Sequence, residues 1–379
     1  QRASSAVTIA RNSVAEAVVT LERQGGRLLV RDRSPSFEKR SPSGIPEGDP
    51  STVDPRRTST PIDVAIDAAA LGPVVAALPI VAEANGRLLL DLTATFSSDV
   101  DGLTAAAHIA SAGVVPAPIG LTVDPARSYI ADIGVYPDNL HVRSHLTFRA
   151  QNPAAPVNGF QPISIELGHS LIVLPEKPMA ARRYDERVGF NFTNFSEFES
   201  ASGEMATDPL RGIINRFRLE KADPKAEVSD PVKPIVFYVG RGVPDRWRPY
   251  IAAGIESWRP AFEAAGFSNA IVARDAPSPA EDPEWSPEDA RYNVIRWVPQ
   301  PFTNAMGPSV ADPRSGEILF AHILVWPQVI DWIQDYYWLM GRGLDPAVDR
   351  LPLTEQKQGE LLQYIVAHEV GHSIGLRHN

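Results

Sequence analysis

A charged, proline-bounded stretch at residues 219–233 separates two parts of the chain whose hydrophobic patterns differ. Before it, short runs of β-branched and apolar residues are separated by turn-length gaps that contain Gly, Asn, Asp and Pro. After it, apolar residues at helical spacing alternate with short apolar runs. A change of period at one point along a chain indicates a domain boundary, so we expect two units of different structural class.

The first part is predicted to be an antiparallel β-rich region, a meander or a sandwich. Four segments carry the strand pattern, and no helical stripe of about ten residues lies between them. They are residues 87–96, 128–136, 140–149 and 162–174. We assign residues 62–225 to this accessory, prodomain-like region. Residues 1–61 form an N-terminal segment, in which the proline-rich stretch 32–61 is interpreted as a tether.

The second part, residues 226–379, is predicted to combine a mixed sheet with helices. A buried strand at residues 235–239 precedes a long helix from Pro244 to Gly266, which Pro260 should kink. Further strands are expected at residues 270–273, 293–298 and 317–325, and further helices at residues 328–340 and 354–374. The predicted fold class is therefore α+β, with the β-rich region ahead of a unit that has a mixed sheet.

Composition excludes several classes of protein. The formal net charge is −10, from 36 basic and 46 acidic residues, which argues against a dedicated nucleic-acid binder. The chain has no cysteine, so disulfides, cysteine-ligated zinc fingers and thiol catalysis are excluded. No run of about 18 apolar residues occurs, so no integral membrane segment is expected. No signal peptide is visible near Gln1.

The last predicted helix contains a histidine motif that indicates a metal site. His368 and His372 are four residues apart, so one helix face presents both imidazoles to a common point. Gly375 offers a left-handed turn that returns His378 toward the same point. Three neutral imidazoles with a fourth position open are typical of catalytic zinc, whereas structural sites close all four positions. The alternative is a surface helix with incidental histidines.

His368, Glu369, His372, Gly375 and His378 together resemble the HExxHxxGxxH signature of the metzincin clan of zinc peptidases. More narrowly, the chain from residue 180 onward is similar to a family of large bacterial zincin-type metalloproteases with an N-terminal domain of unknown function. The similar segments are residues 182–189, 233–238, 258–267, 312–318 and 377–379. The resemblance implies the N-terminal subdomain of a zincin-like catalytic domain, which we expect to be incomplete at Asn379 because the clan's methionine turn lies beyond it.

The resemblance also implies a zinc-dependent endopeptidase exported by a Gram-negative bacterium, to the periplasm, the outer membrane or the outside. His368, His372 and His378 would hold Zn²⁺, which would activate a water molecule, and Glu369 would act as the general base. The expected partner is a protein or peptide substrate. No nucleic acid is expected as a partner.

The strand at residues 317–325 is the predicted substrate-binding edge of the sheet. An extended peptide would pair with the free backbone groups of this strand. The candidate substrate-binding residues are Gly316, Glu317, Ile318, Leu319, Phe320 and Ala321. The alternative is an internal strand that binds no ligand.

A cluster of basic and acidic residues at 182–190 is interpreted as a salt-bridged strand that carries the N-terminal region onto the catalytic part. Two other functions are weighed against the peptidase. One is a β-rich binding or surface protein with an inactive zincin domain, and the other is a zinc hydrolase of a non-peptide amide. The intact Glu369 favours the peptidase, because loss of the general base is the usual route to an inactive relative.

Overall fold

The structure, a computed structural model, describes residues 6–9, 19–32, 74–99, 107–110, 117–118, 121–151, 160–194, 212–300 and 302–378. Apart from Asp32, the predicted tether at residues 32–61 lies outside the described residues. The chain divides into two compact units. The N-terminal unit comprises Gln1–Ser36 with Ala65–Ile172, and the C-terminal unit comprises Phe37–Val64 with Val173–Asn379.

The N-terminal unit is built from antiparallel strands, as predicted. Its elements are β1 (Ala6–Ile9), β2 (Val19–Gln24), β3 (Arg27–Asp32), β4 (Val74–Ala84), β5 (Arg87–Leu90), α1 (Thr93–Phe96), β6 (Ala107–Ala110), β7 (Ala117–Pro118), β8 (Leu121–Val123), β9 (Tyr129–Val135), β10 (Asn139–Gln151) and β11 (Phe160–Ile172). The first sheet has the order β2-β3-β4-β5, and the second has the order β1-β6-β7. In the third sheet β10 pairs with β8, β9 and β11, and its ladder with β11 runs from Asn139↔Ile172 to Gln151↔Phe160.

The predicted strand at residues 87–96 is wrong in its second half. β5 ends at Leu90, and Thr93–Phe96 form the single-turn helix α1. The Asp91 carboxylate accepts a hydrogen bond from the Thr93 N–H at 2.9 Å. Such a local bond between a side chain and the backbone favours a helical turn over a strand.

The C-terminal unit is built around a six-stranded mixed sheet. Its elements are β12 (Phe192–Asn194), β13 (Gly212–Ile214), β14 (Ile235–Val239), a 3₁₀ turn (Asp245–Trp247), α2 (Arg248–Glu256), α3 (Arg259–Ala264), β15 (Ile271–Asp275), β16 (Asn293–Trp297), β17 (Ala305–Met306), β18 (Ser309–Asp312), β19 (Glu317–Val325), α4 (Gln328–Gly341), a second 3₁₀ turn (Pro346–Val348) and α5 (Glu355–Ser373). The order is β15-β14-β16-β19-β17, with β18 also paired to β19. The first four strands are parallel, and β17 and β18 run antiparallel to β19.

The core of this unit lies between the sheet and the helices. Phe237 on β14 and Ile323 on β19 are fully buried, as is Leu362 on α5. Helix α2 packs directly on α5. The two helices are so close at Gly254 that an added Cβ atom would lie 2.8 Å from the Gln363 carbonyl oxygen. These contacts fix the position of α5 over the sheet, and α5 carries the histidine motif.

The predicted helices of this unit are confirmed, with one break. The helix expected at residues 244–266 is divided into α2 and α3 between Glu256 and Arg259. Pro260 lies in the first turn of α3, where its missing N–H leaves no helical hydrogen bond unmade. In the described part of the chain, no helix has both the length and the apolar character needed to cross a membrane.

The cluster at residues 182–190 does not form the continuous strand that was predicted. Arg183 and Phe190 make isolated bridges, to Ile213 and Leu376 respectively. Between them the Asp185 carboxylate accepts a hydrogen bond from the Arg187 N–H at 3.0 Å and pairs with the Arg187 guanidinium. This local pairing turns the backbone and interrupts the strand.

Candidate metal centre

Helix α5 positions the first two histidines of the motif. Thr354 caps its N-terminus by accepting a hydrogen bond from the Lys357 N–H. Near its C-terminal end, the Trp258 indole N–H donates to the Ala367 carbonyl at 2.8 Å, and a side chain at Gly371 would lie 2.9 Å from the Trp258 ring. Trp258 therefore holds the helix on the face next to that of His368 and His372, whose side chains are more exposed.

The backbone turns sharply after α5 and brings back the third histidine. Gly375 has φ +111°, in the left-handed region that glycine adopts readily. Its N–H donates to the His372 carbonyl at 3.0 Å, and the Leu376 N–H donates to the Gly371 carbonyl at 2.9 Å. These bonds close the helix end in the manner of a C-terminal cap. The turn predicted at Gly375 is confirmed.

Gly375→Ala is expected to displace the segment that carries His378. The added Cβ would lie 2.1 Å from the Asn215 carbonyl oxygen, and the left-handed backbone adds strain on the order of 1–3 kcal/mol. We expect a loss of zinc affinity of at least about 10-fold, measured by competition with a chromophoric chelator. Gly343→Ala is the matched control, because Gly343 also has positive φ (+85°) but nothing lies within 4 Å of its Cβ position. Equal zinc affinity in the two variants would contradict this account of the turn.

The three histidines of the motif meet at one point. The Nε2 atom of His372 lies 3.1 Å from that of His368 and 3.0 Å from that of His378, and the His368 and His378 atoms are 3.1 Å apart. Within the described ranges, this is the one cluster of His, Asp or Glu side chains that could hold a metal ion. The structure thus brings together the three predicted metal ligands.

The donor set fits zinc. The His372 Nδ1 lies 2.8 Å from the Leu376 carbonyl oxygen, which can only accept, so Nδ1 carries the proton and Nε2 directs its lone pair into the cluster. Burial, followed by the charges of His372 and His378, lowers the pKa of His368 below its ordinary value, which favours the neutral imidazole that binds metal. Tetrahedral Zn–N bonds of about 2.0–2.1 Å separate ligand nitrogens by about 3.3–3.4 Å. The observed separations are within a few tenths of an ångström of that range.

Glu369 follows His368 in the chain, and its carboxyl lies near enough to His372 for the charge of that imidazole to affect its pKa. Its side chain is buried, with 8% of the residue exposed. Burial raises the pKa of Glu369 above its ordinary value, against the smaller opposing effects of His372 and of a hydrogen bond from the Gly307 backbone. A fixed, partly desolvated carboxylate of raised pKa has the properties of a general base.

Gly307 connects the outer strands of the sheet to the part of α5 that carries Glu369 and Ser373. Its backbone hydrogen-bonds the Glu369 side chain, and its carbonyl accepts from the Ser373 hydroxyl at 3.2 Å. A side chain at this position would lie 2.2 Å from the Glu369 carbonyl oxygen, so only glycine fits. Sequence reasoning missed Gly307, and its only signal is a glycine followed by Pro308.

The predicted free edge on β19 is wrong. On one side β18 pairs with Glu317, Ile318, Phe320 and Ala321. On the other side the Ile318 N–H donates to the Arg216 carbonyl, and the Ala321 N–H donates to the Asn293 side chain. In the described part of the chain, no strand pairs with the second edge of β18, so the edge of the sheet lies there. Substrate binding by residues 316–321 themselves stays an untested prediction.

Two family models match the chain. One is described as a domain of unknown function (DUF5117) and covers residues 30–222, just over half of the chain. The other is described as Met-zincin and covers residues 350–379, which include Glu369 and the three histidines. No curated protein and no solved structure matches the chain. The chain therefore belongs to the DUF5117 family and carries a region at residues 350–379 that is similar to Met-zincins.

Proposed function

We propose that this protein is a zinc-dependent endopeptidase. The observation that carries the proposal is the meeting of three imidazole Nε2 atoms at 3.0–3.1 Å, with the buried Glu369 next to His368 in the chain. The Met-zincin match over the same residues supports it. His368, His372 and His378 would hold the metal and leave its remaining position to water or substrate.

Bound zinc would supply a Lewis acid that polarises the scissile carbonyl and lowers the pKa of water. Glu369 would take the proton of the attacking water and pass it to the leaving nitrogen. The hydrogen bond from Gly307 orients the Glu369 carboxylate, and burial raises its pKa toward the working range of a base. The Leu376 carbonyl holds His372 in the tautomer that presents Nε2 to the metal.

We propose that the peptide substrate adds as a strand to the outer edge of β18. Main-chain hydrogen bonds at an open sheet edge bind an extended peptide, and their strength depends little on the side chains of that peptide. The neighbouring Gly307 contacts Glu369 through its backbone, so this edge lies next to the proposed general base. The edge on β18 takes the place of the one that the sequence indicated on β19.

The zinc-loaded protein is expected to cleave a denatured protein such as casein at internal peptide bonds. The chelator 1,10-phenanthroline should abolish cleavage, and added zinc should restore it, because the imidazoles bind the metal reversibly. The 1,7-isomer, which does not chelate, is the control. Cleavage that persists in 1,10-phenanthroline would contradict the proposal. Tight zinc binding without cleavage of any peptide library would instead favour a binding protein with an inactive centre or a hydrolase of other amides.

A further inference from the structure

The short segment that carries His378 is held by more than helix α5. We call residues 375–378 the ligand strap. It follows α5 and contains no helix or strand of its own. Two backbone hydrogen bonds, from Gly375 and Leu376, return to the helix. The other described main-chain bonds of the strap go to a segment about 185 residues earlier in the chain.

That earlier segment, residues 184–192, is called here the clamp. The Asn191 N–H donates to the Gly375 carbonyl at 2.6 Å, and the Arg377 N–H donates to the Gly189 carbonyl at 2.8 Å. Together with the isolated antiparallel bridge between Phe190 and Leu376, these bonds pair the backbone of the strap with that of the clamp. Arg377, the residue directly before His378, is therefore held by a backbone hydrogen bond to the clamp.

The clamp also acts on His372, through the Leu376 carbonyl. This carbonyl accepts from the His372 Nδ1 at 2.8 Å and from the Asn191 Nδ2 at 3.3 Å. Asn191 thus helps to fix the oxygen that orients the His372 ring. Groups that orient metal-bound histidines in this way commonly change metal affinity when they are removed.

A third contact involves the side chain of Arg377, the residue before His378. Its Nη1 donates to the Tyr184 hydroxyl at 2.9 Å, and its guanidinium lies over the Phe192 ring, 5.9 Å from the centroid. The Tyr184 and Phe192 rings are stacked at 4.0 Å. The two rings form a platform that holds the Arg377 side chain, and with it the strap.

The clamp is itself anchored to the central sheet. The Asn215 N–H donates to the Asn191 carbonyl at 2.8 Å, and the Asn215 carbonyl lies against Gly375. The next residue, Arg216, donates its N–H to the Gly316 carbonyl and accepts from the Ile318 N–H, both at 2.9 Å. Hydrogen bonds therefore run without a break from β19 through residues 215–216 and the clamp to the strap.

We infer that Tyr184 and Asn191, which lie in the DUF5117-matched region, are positioning residues of the metal centre: they hold the ligand strap so that His378 and His372 meet His368. The inference rests on the proposed zinc function and deepens it. In this role, the C-terminal part of the DUF5117-matched region preorganises the metal site. The three ligands of that site all lie in the Met-zincin match. The Met-zincin segment alone would not hold its third ligand.

Zinc affinity measured by competition with a chromophoric chelator tests the inference, and the absorption of the Co²⁺-substituted protein reports the coordination. Tyr184→Phe and Asn191→Ala are each expected to weaken zinc binding by about 10-fold or more and to change the Co²⁺ spectrum. The matched control is Tyr364→Phe, which removes the same hydroxyl from an exposed tyrosine of α5 and should bind zinc as the wild type does. Thermal unfolding of the zinc-free proteins checks that the fold is intact.

A double-mutant cycle separates positioning from a general structural effect. Tyr184→Phe should have no further effect on zinc affinity in an Arg377→Ala background, because the hydroxyl acts through Arg377. This part of the test does not depend on the folding of Asn191→Ala. Additive effects, or wild-type zinc affinity in Tyr184→Phe, would overturn the inference while leaving the proposed function intact. A wild-type protein that binds no zinc would overturn both.

Discussion

Glu369→Gln is expected to lower kcat for peptide hydrolysis by about 10²–10⁴-fold while zinc content stays at the wild-type level. Glutamine has nearly the same shape, and its oxygen can still accept the hydrogen bond from Gly307, so the local structure should persist. It cannot take up the proton of the attacking water. The measurement is steady-state cleavage of a fluorogenic peptide, with zinc content determined on the same sample by mass spectrometry.

Glu360→Gln is the matched control for this variant. Glu360 lies on the same helix, but its side chain is exposed and pairs with Lys357 and Gln356. Its substitution should leave kcat unchanged within a factor of about two, as expected for a surface ion pair. Wild-type kcat in Glu369→Gln would remove Glu369 as the general base. Loss of zinc from Glu369→Gln would show instead that the carboxylate supports the metal site.

His378→Ala is expected to lose most of its zinc affinity. Four-ligand zinc sites bind with about 10–16 kcal/mol, or about 3 kcal/mol per ligand, so removal of one imidazole should weaken binding on the order of 100-fold. The backbone contacts of the strap with Gly189 and Asn191 do not involve the His378 side chain, so the fold should remain. The measurement is zinc content after dialysis against a weak chelator, together with the dissociation constant.

His145→Ala is the control variant, because it removes one imidazole that lies outside the proposed metal site. His145 lies in the N-terminal unit, where its ring stacks on Tyr129 and belongs to no described metal cluster. This variant should keep one zinc ion per chain. If His378→Ala retained zinc with wild-type affinity, the assignment of the third ligand would be incorrect, whatever the result for activity.

Local patterns predicted the elements that carry the first two histidines. The apolar stripe of α5 includes Leu362 and Val366, which the structure buries completely, and its cap at Thr354 lies where the sequence placed the helix start. The turn at Gly375 was also predictable, because few residues other than glycine adopt positive φ without strain. These features depend on neighbours within a few residues, which a single sequence displays.

The outer strands of the sheet could not be predicted in the same way. β17 and β18 contain two and four residues, with Pro308 between them and Pro313 directly after β18. Such short segments carry too little alternation to be told from a loop. Because they were missed, β19 was taken as the edge of the sheet, although β18 pairs with it on the outer side.

The clamp had no local signal either. Asn191 and Leu376 are 185 residues apart in the chain, and their pairing depends on the position of α5 relative to β13. The sequence suggested only that residues 182–190 connect the two parts of the chain. Contacts of this kind are set by tertiary packing, which overrides the strand and helix preferences of either segment. Export of the protein stays a prediction.

We propose above all that His368, His372 and His378 hold one zinc ion in this protein. The most direct test is X-ray diffraction from zinc-loaded crystals at wavelengths on both sides of the zinc absorption edge. One anomalous peak is expected among the three histidines, about 2.0–2.1 Å from each Nε2 atom. A zinc peak bound elsewhere, or no peak among these three side chains, would contradict it.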